Sequence, residues 1–239
     1  MGMNHANEIS RLRLVNEREE PRITSALAER LISALEQPAR IVILEGGDGV
    51  FCEGLELSLA SQGATGFGNG FRHLLETIDK TPCPVIALVD GPAIGGGCAL
   101  AAVADLVLAT PRATFGSPEV LWGLIPAVAF PYIARRMTVS RARLLALGIP
   151  AIDAAEAHRL GLVDEIVPDL ETGLAFHSRR LLRADPRALA DMKALTRVSR
   201  DERYETAADR AFDRLLASDA TQKRIAKLLD GDVPWGEDA

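Results

Sequence analysis

The chain has 239 residues, with 33 acidic against 27 basic side chains, a formal net charge of −6 and 48% hydrophobic residues. This composition is ordinary for a globular protein and excludes a disordered or collagen-like chain. The acidic balance disfavours a general nucleic-acid binder, and three cysteines with no CxxC pair exclude a secreted disulfide framework.

Leu12 to Val15 reads as a short strand. Thr24 is placed to cap a helix whose apolar stripe is Leu27, Leu31 and Leu35, ended by Pro38. Ile41 to Leu44 is a continuous apolar run, as in a strand buried on both faces, and a glycine turn follows at Gly46, Gly47 and Gly49. Ser58 to Gly70 reads as a loop rich in small residues, whose composition predicts mobility. Phe71 to Asp79 predicts a helix, Val85 to Val89 a second buried strand, Cys98 to Ala104 a tightly packed helix and Leu106 to Ala109 a third strand. Alternating helix and strand predict a mostly parallel sheet with helical crossovers.

The second half is mainly helical. Ser140 to Leu147 reads as a helix closed by Gly148; Asp153 and Glu156 form a capping box, with Gly161 as its stop. Leu162 to Val167 predicts a short strand. From Glu171 to Leu229 the pattern is helical, with Pro186 at a helix start, so a boundary is expected near residue 170. The N-terminus lacks an apolar signal core. The apolar stretch Val85 to Ala104 is broken by Asp90, Pro92 and Gly95 to Gly97, so it does not read as a membrane span. A reducing cytoplasm is the expected location.

No P-loop, GxGxxG loop, HExxH or GxSxG elbow is present, and the four histidines lack metal-ligand spacing. Three pieces remain. In Gly91-Pro-Ala-Ile-Gly-Gly-Gly-Cys98, glycines at a helix start leave backbone N–H groups uncovered beside the positive end of the helix dipole. That suits a developing oxyanion, and one such donor elsewhere is worth about 2.7–4 kcal/mol in the transition state. The alternative is that these glycines only permit tight packing. Phe51-Cys-Glu-Gly-Leu-Glu-Leu57 supplies a second turn with a backbone donor. Phe115-Gly-Ser-Pro-Glu119 supplies one carboxylate among apolar neighbours, whose pKa burial would raise toward a proton-transfer range.

Together, FCEGLEL, GPAIGGGCALAAVADLVLA and FGSPEVLWGLIP resemble the crotonase superfamily of enoyl-CoA hydratases and isomerases from about Thr24 to Leu229. The resemblance implies an α/β fold, a ββα spiral core over residues 1–170, and a helical C-terminal trimerisation region over 171–239. It implies an acyl thioester substrate on CoA or phosphopantetheine, no redox cofactor or metal, and no nucleic-acid or membrane partner. The Leu55 and Gly96 N–H groups would form the oxyanion hole, and Glu119 would be the catalytic carboxylate. Glu53, Gly54, Gly95 and Gly97 would bind the carrier. Trp122, Phe130 and His73 would line the acyl pocket. Glu56 is a further catalytic candidate. Where hydratases of this family carry a second glutamate, this chain has Ala99.

The run from Glu119 to Met137, with Val233-Pro-Trp235 and Glu237-Asp238, is similar to dehydratases of polyketide β-branching. Those act on a 3-hydroxy-3-methylglutaryl group on an acyl carrier protein. An isomerase using one glutamate and a non-catalytic acyl-thioester-binding subunit are the alternatives. The family implies trimers or hexamers. Arg135-Arg136 and Arg179-Arg180 are candidate sources of local attraction for an anionic carrier in a chain of net negative charge.

Overall fold

The computed structural model describes residues 8–56, 67–196, 210 and 213–231. Its centre is a five-stranded parallel sheet in the order β1-β2-β3-β5-β8. The strands are β1 (Ile9–Arg13), β2 (Ile41–Glu45), β3 (Val85–Val89), β5 (Leu106–Ala109) and β8 (Glu165–Ile166). Alternate residues of the apolar runs serve two faces. Leu12, Val42, Leu44, Val85, Ala87 and Val107 face the larger core, and Ile41, Ile43, Ile86, Leu88 and Leu108 the smaller.

Helices α1 (Ser25–Leu35), α2 (Phe67–Lys80), α3 (Gly96–Val103) and α4 (Phe130–Arg136) supply the larger face. Helix α1 starts as its sequence predicts, with the Leu27 N–H donating to Thr24 Oγ1 at 3.0 Å. Its stripe of Leu27, Leu31 and Leu35 is buried. Helix α5 (Val139–Ala146) and helix α6 (Ala154–Arg159) follow; Asp153 Oδ1 caps α6 by accepting from the Glu156 N–H at 2.8 Å. The smaller face is closed by Val167 and by Leu174 of α7 (Leu170–Leu181). Helix α8 (Pro186–Thr196) is tied back by Lys193, which pairs with Asp105 at 2.6 Å and donates to the Cys83 carbonyl at 2.9 Å. Helix α9 (Asp219–Leu229) ends the described chain.

A second layer positions the site. Here β4 (Pro92–Ile94) pairs in parallel with β6 (Thr114–Gly116), and β6 pairs antiparallel with β7 (Ile152–Asp153). The segment around Cys52 joins β4 by a parallel bridge to Ala93, and Leu55 bridges in parallel to Ile23.

Some boundaries differ from those the sequence suggests. Helix α2 begins at Phe67, so Gly68 and Gly70 are helical and not in a loop. The rest of the expected loop, residues 58–66, lies outside the described residues, as do Leu57, Val233-Pro-Trp235 and Glu237-Asp238. The last strand is only Glu165–Ile166. Among the described residues no helix is long and apolar enough to cross a membrane.

Candidate functional site

The three motifs converge because their strands are parallel neighbours. In the β4–β6 register Ile94 stands opposite Gly116, so the residues after each strand emerge at the same edge. After β4 come Gly95 and α3; after β6 come Ser117, Pro118 and a single 3-10 turn, Glu119–Trp122. The Gly95 N–H donates to the Gly116 carbonyl at 2.8 Å and fixes the two ends together.

The Leu55 N–H is oriented by its bridge to Ile23. That pairing uses the flanking groups: the Ile23 N–H donates to the Gly54 carbonyl (2.8 Å) and the Glu56 N–H to the Ile23 carbonyl (3.0 Å). The amide of Leu55 therefore points to the other side of its segment, the side that faces β4. Gly96 is the first residue of α3, where a helix leaves its N–H groups without internal acceptors. Among the described residues neither amide has a protein acceptor. They lie close together, because a β-carbon on Gly54 would stand 3.2 Å from the Gly96 nitrogen and 2.9 Å from the Ile94 carbonyl oxygen. Gly54, at φ +90°, has both the conformation and the contact that exclude a side chain.

Glu119 faces the same place. A β-carbon on Gly95 would lie 3.3 Å from Glu119 Oε1. Burial raises the Glu119 carboxyl above its ordinary range, offset in part by the Ser117 hydroxyl, which donates to Oε2 at 2.7 Å, and by its own backbone N–H. Both Glu119 and Trp122 reach the cavity because side chains at i and i+3 eclipse in a 3-10 turn.

The cavity holds about 550 Å³. Its polar end is Glu53, Gly54, Leu55, Gly95, Gly96 and Glu119, and its apolar wall includes Phe71, Trp122, Leu124 to Ala129 and Leu229. Two uncovered N–H groups beside one buried carboxyl can hold an oxyanion and move a proton to or from the adjacent carbon.

The enoyl-CoA hydratase/isomerase family model matches residues 6–231. This chain belongs to that family. It is 32% identical over 201 residues to the carnitinyl-CoA dehydratase of Salmonella arizonae, covering 77% of this chain and 74% of the relative. It is 34% identical over 135 residues to the enoyl-CoA isomerase/hydratase fer4 of Mycosarcoma maydis, covering 54% of this chain but only about half, 49%, of that protein's length. The fold is similar to a solved enoyl-CoA hydratase from Mycobacterium avium paratuberculosis, with TM-score 0.85, 28% identity, and coverage of 98% and 96% of the two chains.

Within the family fold, Leu55, Gly96, Glu119, Glu53, Gly54, Gly95, Glu56 and Trp122 all line the cavity. Three expectations are corrected. His73 is exposed on the outer side of α2, away from the cavity. Phe130 packs against the main core and not against the cavity. Gly97 does not line the site either; a β-carbon there would meet the Cys52 carbonyl oxygen at 2.0 Å, so its absent side chain permits helix–strand contact. The arginine pairs do not line the cavity: Arg135 pairs with Asp79, Arg136 with Asp164, and Arg179-Arg180 are exposed on α7.

Among the described residues the basic side chain on the cavity wall is Arg22, paired with Glu53 at 3.1 Å. Sequence reasoning missed it because the contact depends on the Ile23–Leu55 bridge. Glu56 is only 7% exposed and its Oε2 accepts from Arg18 at 2.9 Å. Burial pushes the Cys98 thiol, at the start of α3, above its ordinary range, and pushes Cys52 up to about 12 for the same reason. Ala99 is fully buried in α3 and brings no carboxylate.

Proposed function

We propose that the protein is an acyl-thioester lyase that removes water from a 3-hydroxyacyl group, with Glu119 as its proton-transfer carboxylate. The observation that carries this reading is the meeting of the Leu55 and Gly96 amides with that carboxyl at the end of one apolar cavity. Similarity to a relative named as a dehydratase supports the direction.

A thioester carbonyl seated between the two N–H groups acidifies its Cα–H. Glu119 takes that proton as the Cα–H bond breaks, and the electron pair moves onto the carbonyl oxygen as an enolate. The enolate then forms the Cα–Cβ double bond while the Cβ–O bond breaks. The departing oxygen takes the proton back from Glu119 and leaves as water. One carboxylate serves both transfers, which suits a chain with Ala99 where a second acid would stand.

CoA or the phosphopantetheine arm of an acyl carrier protein carries the acyl group. The run from Glu119 to Met137 supports the finer assignment to a 3-hydroxy-3-methylglutaryl group on a carrier protein in polyketide β-branching. The same reading makes the enzyme a cytoplasmic homotrimer or hexamer. Phe176 on α7, 70% exposed, and Leu195 on α8, 80% exposed, offer apolar contacts for neighbouring copies.

The lone carboxylate also favours a second reading. If Glu119 returns its proton to Cγ and not to a leaving hydroxyl, the product is a shifted double bond. Incubation of an enoyl thioester in H₂¹⁸O separates them: the lyase places ¹⁸O at Cβ, and an isomerase in D₂O only washes deuterium into Cα and Cγ. Glu119→Gln is expected to lower turnover about 10²–10⁴-fold in either case; a variant with unchanged turnover would overturn the assignment.

A further inference from the structure

The turn that carries Glu119 is one 3-10 helix of 4 residues, Glu119–Trp122, ending at Gly123 with φ +81°. So short a turn leaves carbonyls that need partners from outside. One partner comes from α9. The Thr221 hydroxyl donates to the Gly123 carbonyl at 3.3 Å. Thr221 is 1% exposed, so this hydroxyl is enclosed between the two elements. It in turn accepts from the Ser218 hydroxyl at 3.0 Å, and Ser218 Oγ accepts from the Thr221 N–H at 3.3 Å at the start of α9. The fit is close: a β-carbon on Gly123 would stand 2.6 Å from Thr221 Oγ1.

Among the described residues no other side-chain hydrogen bond is made to this end of the turn, and the Trp122 indole N–H is buried without a hydrogen-bond partner there. At the other end, Ser117 holds the carboxylate. Eight positions after Thr221, about two helical turns, Leu229 of α9 lines the cavity. One helix therefore both walls the cavity and grips the turn that aims the carboxyl.

We infer that Thr221 is a positioning residue for proton transfer: through the Gly123 carbonyl it fixes the turn that points Glu119 at the Leu55 and Gly96 amides. Docking of α9 thus couples closure of the cavity to alignment of the carboxylate. This rests on the reading of Glu119 as the proton-transfer group.

The test compares Thr221→Val, Thr221→Ser, Ser218→Ala, Leu229→Ala and Glu119→Gln in the full chain. Thr221→Val keeps the shape and removes the hydroxyl. It is expected to lower kcat about ten- to hundredfold, as a misplaced group does, with KM changed by no more than about twofold. Because a loosened turn admits water to Glu119, the acid limb of its pH profile is expected to move down. Thr221→Ser restores both. Leu229→Ala, which alters the cavity wall and leaves the Thr221 hydroxyl in place, is expected to raise KM by a larger factor than it lowers kcat. A folded Thr221→Val enzyme with normal kcat and pH profile overturns the proposal, as does a serine variant equally impaired. If Thr221→Val does not fold, Thr221→Ala removes the same donor and is judged by the same criteria; Ser218→Ala, which leaves the Thr221–Gly123 bond in place, is expected to lower kcat less than either. Full turnover in Glu119→Gln would sink the reading of Glu119 itself; an inactive Glu119→Gln beside a normal Thr221→Val sinks Thr221 alone.

Discussion

The Ser117 hydroxyl donates to Glu119 Oε2 across 2.7 Å, inside a wall where burial drives the carboxyl toward its neutral form. The two effects oppose each other. Burial raises the carboxyl above its ordinary value of 4.5, and the hydrogen bond, made to the charged form, draws it partly back. A base must be ionised, so kcat/KM is expected to fall with decreasing pH through a limb that lies above 4.5. Ser117→Ala removes the downward influence, and its limb is expected at still higher pH. A pH–rate profile of the two enzymes checks both the position and the direction.

The same burial makes a stability prediction. A carboxyl raised in the folded state disfavours folding once it must ionise. Glu119→Gln is therefore expected to melt higher than the parent at alkaline pH. As pH falls through the raised folded-state value the advantage shrinks, and below the ordinary 4.5 both folded and unfolded chains are protonated and it is gone. Thermal melts of both proteins across this range test the sign; a constant difference would mean that ionisation is not its source.

Adjacent glycines are expected to fail in different ways. Gly97→Ala drives a β-carbon to 2.0 Å from the Cys52 carbonyl oxygen, a backbone atom with no freedom to yield. It should cost at least the ~1–3 kcal/mol of an overpacked core, read as a fall in melting temperature. Gly95→Ala meets only Glu119 Oε1, at 3.3 Å, and strains a backbone at φ +55°. With ψ at −118° this backbone lies outside the left-handed helical region, so strain of ~1–3 kcal/mol is expected, and the carboxylate must move. The expected result is a folded protein with reduced kcat.

Two acidic side chains line the cavity near Leu55, and they should not be equal to Glu119. Glu56 Oε2 accepts from Arg18, and Glu53 Oε2 accepts from Arg22. Glu56→Gln is expected to change kcat by less than about tenfold, against about 10²–10⁴ for Glu119→Gln, the range of a general acid–base group. Steady-state kinetics on both variants decide; equal losses would make Glu56 part of the proton pathway.

Local chemistry was legible where the signal was local. Thr24 could be read as a cap because its oxygen serves an N–H three residues away. The strands could be read because a sheet covered on both faces demands unbroken apolar runs such as Ile41 to Leu44. His73 was illegible for the opposite reason: its helix begins earlier than its first apolar residue suggests, and only packing decides which side of α2 faces the cavity.

The sequence alone determined the materials of the site: glycines at the start of α3, one carboxylate after Ser117 and Pro118, alanine in place of a second acid, and the family to which this combination belongs. Those are properties of residue type and spacing. Only the tertiary structure decided which amides are uncovered, that Arg22 stands at the cavity and the arginine pairs do not, and that Thr221 holds the turn of Glu119. These depend on contacts between residues up to 98 positions apart. Hydrogen bonds are directional, and their partners are set by which strands and helices become neighbours, a choice made by burial of the whole core and not by any one segment.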